Sequence, residues 1–360
     1  MSKSEIEVLR DKINAIDDNI VVLLRKRACL AKSIGEIKLK TGKEFYSPVR
    51  EHKIYRNLLK KESGDFHKKG LLAVFREIQS VCLNLEKQLR IVYLGPEASF
   101  THIASREKFG DSAFYYPVKT ISDVFDEVAR ESAPYGIVPI ENTSEGAVTH
   151  TLDMFLEYDL KICAELSIKI SHCLLSKAKK LQQIKRIYSN PQALGQCRIY
   201  IESHFPGVEV IEVSSTASAA QIASKNKDSA AIASKLAGEV YNIPVIDSEI
   251  EDRKNNYTRF LVIGKNFIER SGEDKTSIVF SVKDEVGILY RMLKPFALNG
   301  INLTKIESRP SKTKPWEYYF FLDFEGYYKD TKVRRALFEL EKNCTFIKIL
   351  GSYPREVIKE

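Results

Sequence analysis

Between Ile6 and Ile37, apolar side chains return at alternating steps of three and four: Ile6, Leu9, Ile13, Ile16, Ile20, Leu23, Leu30, Ile34 and Ile37. Such a heptad seam specifies one long α-helix whose apolar stripe has to be covered. A break follows at Thr41-Gly42-Lys43, then a short helix with Pro48 in its first turn. A third helix runs to Arg90, with a stripe at Leu71, Phe75, Ile78, Cys82, Leu85 and Leu89. Three helices, one very long, cannot cover that seam alone, and a homodimer is the natural solution. The seam has one defect, Arg27, where an apolar residue is expected. A buried guanidinium is costly unless an anion pairs with it. Lys38 follows about 20° round the helix and roughly 16 Å along it, so two cationic side chains could converge on one small dianion. Arg10 lies about a quarter-turn off that face, suiting a different site such as a partner's. On pattern alone, a coiled-coil arm with stray charges competes evenly with a binding site.

From Ile91 the period changes. Short apolar runs at Ile91–Leu94, Phe114–Val118, Gly136–Ile140, Ile184–Tyr188, Val208–Val213, Ala230–Ala233 and Phe260–Ile263 alternate with helical stretches, an α/β pattern. Residues 160–175 read as extended and carry the chain towards a second lobe. Two runs have polar tips: Glu141-Asn142-Thr143-Ser144-Glu145-Gly146 after Ile140, and Asn255-Asn256-Tyr257-Thr258-Arg259 before Phe260. Alone, either tip is a turn; two such tips on buried strands are what a cleft needs. Gly95-Pro96, with Ser99 and Thr101 opening a helix, is an anion-binding arrangement without the glycines and lysine of a nucleotide loop. Ser189-Asn190-Pro191-Gln192 with Gln196, and Ser214-Ser215-Thr216, each read as a helix cap. Together, at the ends of successive strands, they face one crevice. After a linker at Ser271–Asp274 come strand 277–282, helix 286–298, strands 301–308 and 316–325, helix 332–341 and strand 345–352, a βαββαβ unit of ferredoxin-like type.

A length of 360 residues suits two or three domains. The net charge of +8 fits small dianionic substrates or a Lys-rich solvated surface, and no nucleic-acid-binding motif accompanies it. Six scattered cysteines without a Cys-x-x-Cys pair argue against a zinc site or disulfide scaffold, and for a reducing compartment. The N-terminus has no apolar signal core, and no apolar run is long enough for a membrane.

Thr258-Arg259-Phe260 after Asn256, Pro139-Ile140-Glu141-Asn142-Thr143 upstream, and Gly95-Pro96-Glu97-Ala98-Ser99-Phe100-Thr101-His102 before both resemble prephenate dehydratase. The whole chain resembles the bifunctional chorismate mutase–prephenate dehydratase family. The mutase signatures are Leu9-Arg10-Asp11-Lys12-Ile13 and residues 30–38. The resemblance implies an all-α chorismate mutase arm over 1–90 and an α/β two-lobed dehydratase over 91–270, similar to type II periplasmic binding proteins. An α+β ferredoxin-like ACT domain over 275–355 completes the multidomain chain.

The resemblance assigns residues as follows. Arg10, Arg27, Lys38, Arg50, Glu51 and Glu86 line the mutase site, with Arg10 reaching the other subunit. That reaction rearranges chorismate to prephenate without a nucleophile. It needs the reactive conformer held and charge on the ether oxygen stabilised. Lys38 can do this, and Glu86 can help only if protonated. Ser47, Cys82 and Glu86 depart from some relatives' Asp, Ser and Gln. In the dehydratase, Thr258 stands at the departing ring hydroxyl, where it donates a hydrogen bond or relays a proton. Ser99, Thr101, Glu141, Asn142, Thr143, Ser189, Gln196, Ser215, Thr216, Asn256, Arg259 and Phe260 belong to the substrate cleft. Arg259 either holds a carboxylate or is a structural ion-pair partner. The chemistry needs no metal or cofactor. In the ACT domain, Gly287, Leu289, Asn302, Leu303, Glu307 and Ser308 are expected to hold the inhibitor L-phenylalanine, with Val286 replacing the usual Pro. The expected molecule is a cytoplasmic homodimer or homotetramer with no nucleic-acid or membrane partner. The alternatives are an arogenate-preferring dehydratase, or a catalytically silent amino-acid sensor, against which the intact Arg27, Lys38 and Thr258 argue.

Overall fold

The computed structural model describes residues 4–61, 64, 66–283, 285–311 and 318–356. They form two compact units. One holds the chain up to Ser47 and residues 54–89 and 109–114; the other holds residues 48–53, the start of the second helix, with 90–108 and the chain from Tyr115 onward.

In the first unit, helix α1 (Glu5–Thr41) begins at Ser4. The Ser4 hydroxyl accepts from the Glu7 N–H, and the Glu7 carboxylate accepts from the Ser4 N–H. This reciprocal cap satisfies donors the helix leaves unpaired. Helix α2 spans Pro48–Leu59 and α3 Lys68–Glu86. The third helix stops short of the expected Arg90 because Arg90 already opens the first strand. Of the α1 residues, Ala31 and Gly35 are the buried ones, and the seam from Ile6 to Ile37 is exposed in the single chain.

The second unit carries three sheets. Its chain runs β1 (Arg90–Leu94), α4 (Phe100–Phe109), β2 (Phe114–Val118), α5 (Ile121–Ala129), β3 (Tyr135–Asn142), β4 (Gly146–Ala147), α6 (Thr149–Glu157) and β5 (Lys161–Lys169). It then crosses to a second lobe: β6 (Cys173–Ser176), β7 (Arg186–Ser189), α7 (Pro191–Gln196), α8 (Arg198–His204), β8 (Glu209–Glu212), α9 (Thr216–Ala223), β9 (Ser229–Ala233), α10 (Lys235–Val240) and β10 (Val245–Ser248). Strand β11 (Tyr257–Gly264) returns to the first sheet, antiparallel between β3 and β5. The sheet orders are β2-β1-β3-β11-β5, with β4 beside β3, and β10-β6-β9-β7-β8. The two crossovers between lobes bond to each other: Ile170 N–H donates to Asn256 O at 2.8 Å, and Ile250 N–H to His172 O at 3.1 Å. Strand β10 was not anticipated from sequence. Its residues are exposed and show no apolar run.

The C-terminal module is β12 (Asp274–Val282), α11 (Ile288–Leu298), β13 (Leu303–Pro310), β14 (Tyr318–Glu325), α12 (Thr331–Glu341) and β15 (Cys344–Pro354), in sheet order β13-β14-β12-β15. The expected strand start at Trp316 lies outside the described residues. Side chains alternate between the two sheet faces. Ile278, Phe280, Leu322 and Phe324 pack on Met292, Phe296, Val333 and Leu340 of α11 and α12. Val279, Phe321, Leu350 and Tyr353 face the other way, into one core with Val138, Ile140, Leu152, Phe155 and Leu261 of the first lobe. The expected linker at Ser271–Asp274 is therefore a bonded turn. The buried Asp274 carboxylate accepts from the Ser271 N–H at 3.1 Å and the Gly272 N–H at 3.0 Å.

Arg259 sits at this junction. Its Nε donates to Glu165 at 2.8 Å, one terminal nitrogen to Asp323 at 2.7 Å, and the other to the Tyr353 hydroxyl at 3.0 Å. Lys275 also bonds Glu165, at 2.7 Å. Burial alone would raise the Asp323 pKa, but the Arg259 guanidinium outweighs it and holds the carboxyl below its usual range. A depressed folded pKa means this stabilisation is complete above the ordinary Asp value of about 4. It is lost as pH falls through the lower folded value. Removing one partner of a buried pair leaves the other charge uncompensated, at a cost of about 3–5 kcal/mol. Asp323→Ala should lower the calorimetric midpoint of this unit at neutral pH, with a smaller difference from the parent in strong acid. Equal midpoints at neutral pH would show that the network carries no stability.

Candidate active sites

The first site forms between α1 and α3. Lys38 Nζ lies 2.6 Å from Glu86 Oε2 and donates to the Phe45 carbonyl at 2.7 Å. Arg27 donates to the Ile78 carbonyl of α3 at 3.3 Å. Gly35 explains the close approach, since a Cβ there would stand 2.9 Å from the Glu86 Cα. The structure thus brings Arg27, Lys38 and Glu86 to one helix pair, all half-buried. Arg10 and Arg50 are exposed. Glu51 is bound elsewhere: Lys108 of α4 holds its carboxylate at 2.6 Å, a partner the sequence pattern did not indicate. Gly35→Ala should push α3 away and lower chorismate turnover by roughly tenfold or more, while dehydration of supplied prephenate continues. Parental mutase turnover in that variant would show that the close approach is dispensable.

The second site lies where the crossovers meet the tip of β3. Asn142, at the end of β3, orders it. Its Oδ1 accepts from the Ser144 N–H at 2.8 Å and the Glu145 N–H at 3.1 Å. That fixes the amide, so Nδ2 points to Asn256 Oδ1 at 2.9 Å and Thr258 Oγ1 at 2.8 Å. Asn256 Nδ2 in turn donates to Gln196 Oε1 at 3.0 Å. Thr143 binds the second crossover, accepting the Tyr257 N–H at 2.9 Å and donating to Asn255 O at 3.3 Å. Asn142, Thr143, Gln196, Asn256 and Thr258, far apart in sequence, form one bonded cluster.

The other expected cleft residues are placed as follows. Ser99 caps α4: its hydroxyl donates to Leu94 O at 3.1 Å and accepts the His102 N–H at 3.3 Å. Thr101 is buried. Ser215 caps α9 through the Ser218 N–H at 3.0 Å, with Thr216 buried behind it. Ser189 is fully buried, its proton committed to Ile232 O at 2.7 Å. Glu141 is held by Lys305 of β13 at 2.8 Å. One expectation is corrected, and of the two roles left open for Arg259 the geometry favours one. Phe260 is 1% exposed and belongs to the core, not the cleft wall. Arg259 is the structural ion-pair partner, because alternation turns it away from Thr258 and its donors are used by Glu165, Asp323 and Tyr353. Sequence reasoning missed His172 and Glu251, which border the cluster from the crossovers. Neither falls in a periodic pattern.

In the C-terminal module, Gly287 adopts φ 78° at the start of α11, a conformation that favours glycine. Leu289, Asn302 and Ser308 are exposed and Leu303 is half-buried against the module's core. Ser308 pairs with Phe320 and Glu307 with Phe321, so the two point to opposite faces. Ser308 is on the helix-bearing side, and Glu307 is on the side turned to the first lobe. The two side chains therefore do not share one face of the sheet.

A fold of this kind, with a helical arm, a two-lobed α/β body and a ferredoxin-like module, defines a multidomain enzyme with two polar sites. Family models match in that order: chorismate mutase type II over residues 9–87, prephenate dehydratase over 91–267 and the ACT domain over 276–341. The bifunctional chorismate mutase/prephenate dehydratase of Aquifex aeolicus is 48% identical over 99% of this chain and 99% of its own. That of Pseudomonas aeruginosa is 40% identical, also over 99% of each. The crystal structure of an Arthrobacter aurescens prephenate dehydratase in complex with L-Phe aligns with a TM-score of 0.68 and 32% identity, covering 74% of this chain and 90% of that one. The chain belongs to the bifunctional chorismate mutase/prephenate dehydratase family, with a C-terminal ACT domain.

Proposed function

We propose that Arg27, Lys38 and Glu86 perform the mutase step and that Thr258 serves the dehydratase step on prephenate. In the first, Arg27 holds a substrate carboxylate and Lys38 meets the ether oxygen as charge develops there. In the second, the C–C bond to the ring carboxylate breaks, and carbon dioxide leaves. The electron pair aromatises the ring and expels the hydroxyl, which departs as water once protonated, giving phenylpyruvate. The observation that carries the assignment is the bond from Asn142 Nδ2 to Thr258 Oγ1, 2.8 Å. It makes the Thr258 oxygen an acceptor there and leaves its own proton for the leaving hydroxyl. The same N–H stabilises the oxygen as that proton is drawn away. Thr258→Ala should lower dehydratase kcat by roughly a hundredfold or more, with a smaller change in KM, because the contact strengthens as the hydroxyl leaves. Thr258→Ser should retain much more. Equal losses would assign the side chain to packing.

The exposed seam of α1 supports a homodimer that covers it with a second copy, leaving Arg10 free to enter the partner's mutase site. A mutase on the same chain supports prephenate over arogenate as substrate, and a cytoplasmic setting suits both. For regulation, β13 is an edge strand whose helix-facing side exposes Ile306 and Ser308, and the Arthrobacter relative was crystallised with L-Phe. L-phenylalanine inhibits from this edge, with Leu289 and Ser308 as contacts, by preferring one arrangement of the chain over another. Calorimetric titration should show phenylalanine heat in the parent chain and its loss in Leu289→Glu. Heat that persists in the variant would move the amino acid to the dehydratase cleft.

A further inference from the structure

The hydrogen bonds around Thr258 have a direction, and it can be followed to its far end. The Ser144 and Glu145 amides fix Asn142, Asn142 fixes Asn256, and Asn256 donates to Gln196 Oε1. A carbonyl oxygen only accepts. His172 Nε2 lies 3.0 Å from that same oxygen, so it meets it as an N–H donor. The imidazole therefore carries its proton on Nε2. His172 is 2% exposed, its Nδ1 has no hydrogen-bond partner, and the Phe100 ring stands edge-on at 5.5 Å. Burial lowers the His172 pKa, which keeps the ring neutral; Glu251, the charged group facing it, accepts the His172 backbone N–H at 2.9 Å.

The chain of amides is thus anchored at both ends, by backbone N–H groups in the first lobe and by an imidazole N–H in the first crossover. Between them each amide has one orientation that pairs donors with acceptors. Were Gln196 to turn over, its NH2 would face the Asn256 NH2, and two donors would meet without an acceptor.

We propose that His172 is a positioning residue of the dehydratase: by donating from Nε2 to Gln196 it holds Gln196, and through it Asn256, in the orientation that the backbone amides set at Asn142 and that leaves the Thr258 proton for the substrate. This rests on the reading of Thr258 given above. His172 touches no reacting atom. It acts through three amides that join one crossover to the other and to the first lobe.

The experiment is steady-state dehydratase kinetics on the full chain with supplied prephenate, with mutase turnover and circular dichroism as folding controls. An Asn amide nitrogen stands at the Nδ1 position, and a Gln amide nitrogen at the Nε2 position. His172→Asn should lower kcat by roughly tenfold to a hundredfold with KM little changed, and His172→Gln should recover most of that loss. Gln196→Met, which removes the acceptor of the same bond, should give a similar kcat loss if the Asn variant folds poorly. In a Thr258→Ala background, both losses should vanish, because the amides then have no hydroxyl to orient. Parental kcat in both His172→Asn and Gln196→Met, or losses that add fully to that of Thr258→Ala, would overturn the positioning role. Parental kcat in Thr258→Ala itself would overturn it together with the reading of the site beneath it.

Discussion

The Arg259 guanidinium, buried one residue from Thr258, constrains the rest of the second unit. Neighbouring residues of a strand face opposite ways, so β11 turns a hydroxyl to the cleft and a full charge to the interior. A charge in that position is tolerated only with paired, hydrogen-bonded anions. No residue adjacent in the chain supplies them. Glu165 comes from β5 and Asp323 from the C-terminal sheet, with Tyr353 and Ser277 completing the cluster. The ACT sheet is therefore built into the dehydratase core rather than hung from it, as the shared burial of Val279, Phe321 and Leu350 with Val138 and Leu261 also requires.

The cleft side of β11 obeys a different physics. There the groups are neutral, and what matters is direction. Amides are both donors and acceptors, so a row of them is indifferent to its own polarity until one end is fixed. The backbone N–H groups after Asn142 fix it, and the arrangement reaches Thr258 as an oxygen that must accept and is free to donate. Threonine is too weak an acid to protonate a leaving group unaided. The Asn142 N–H on its oxygen makes such a donation easier without introducing a charge.

The architecture was legible in the sequence where one period dominates. The heptad seam gave α1, and alternation and turn residues gave the strands around the site and the βαββαβ order of the last module. Thr258, Asn142, Asn256 and Gln196 were legible through resemblance. Arg259 could not be assigned, because its role depends on carboxylates that folding brings from two distant segments. Phe260 was misread for a simpler reason: it shares a face of β11 with Thr258, but it lies two residues further into the sheet, where that face is already core. Strand alternation separates Glu307 from Ser308. The role proposed for His172 was invisible because it rests on which nitrogen bears a proton, and the bonds of three other side chains decide that.

That alternation also limits how the ACT module can act on the cleft. On β13, Lys305 reaches Glu141 at 2.8 Å and Arg309 reaches Asp153 at 3.1 Å, while Ile306 and Ser308 face the other side. Glu141 immediately precedes Asn142. One strand therefore carries the proposed inhibitor contacts on one face and ion pairs to the first lobe on the other. A ligand at Ser308 does not touch the dehydratase, yet any arrangement of β13 that it prefers is also an arrangement of Lys305 against Glu141. The effect cannot exceed the difference in ligand affinity between the arrangements. By linkage, substrate bound by the dehydratase must weaken the inhibitor by the same factor whenever inhibition acts through affinity.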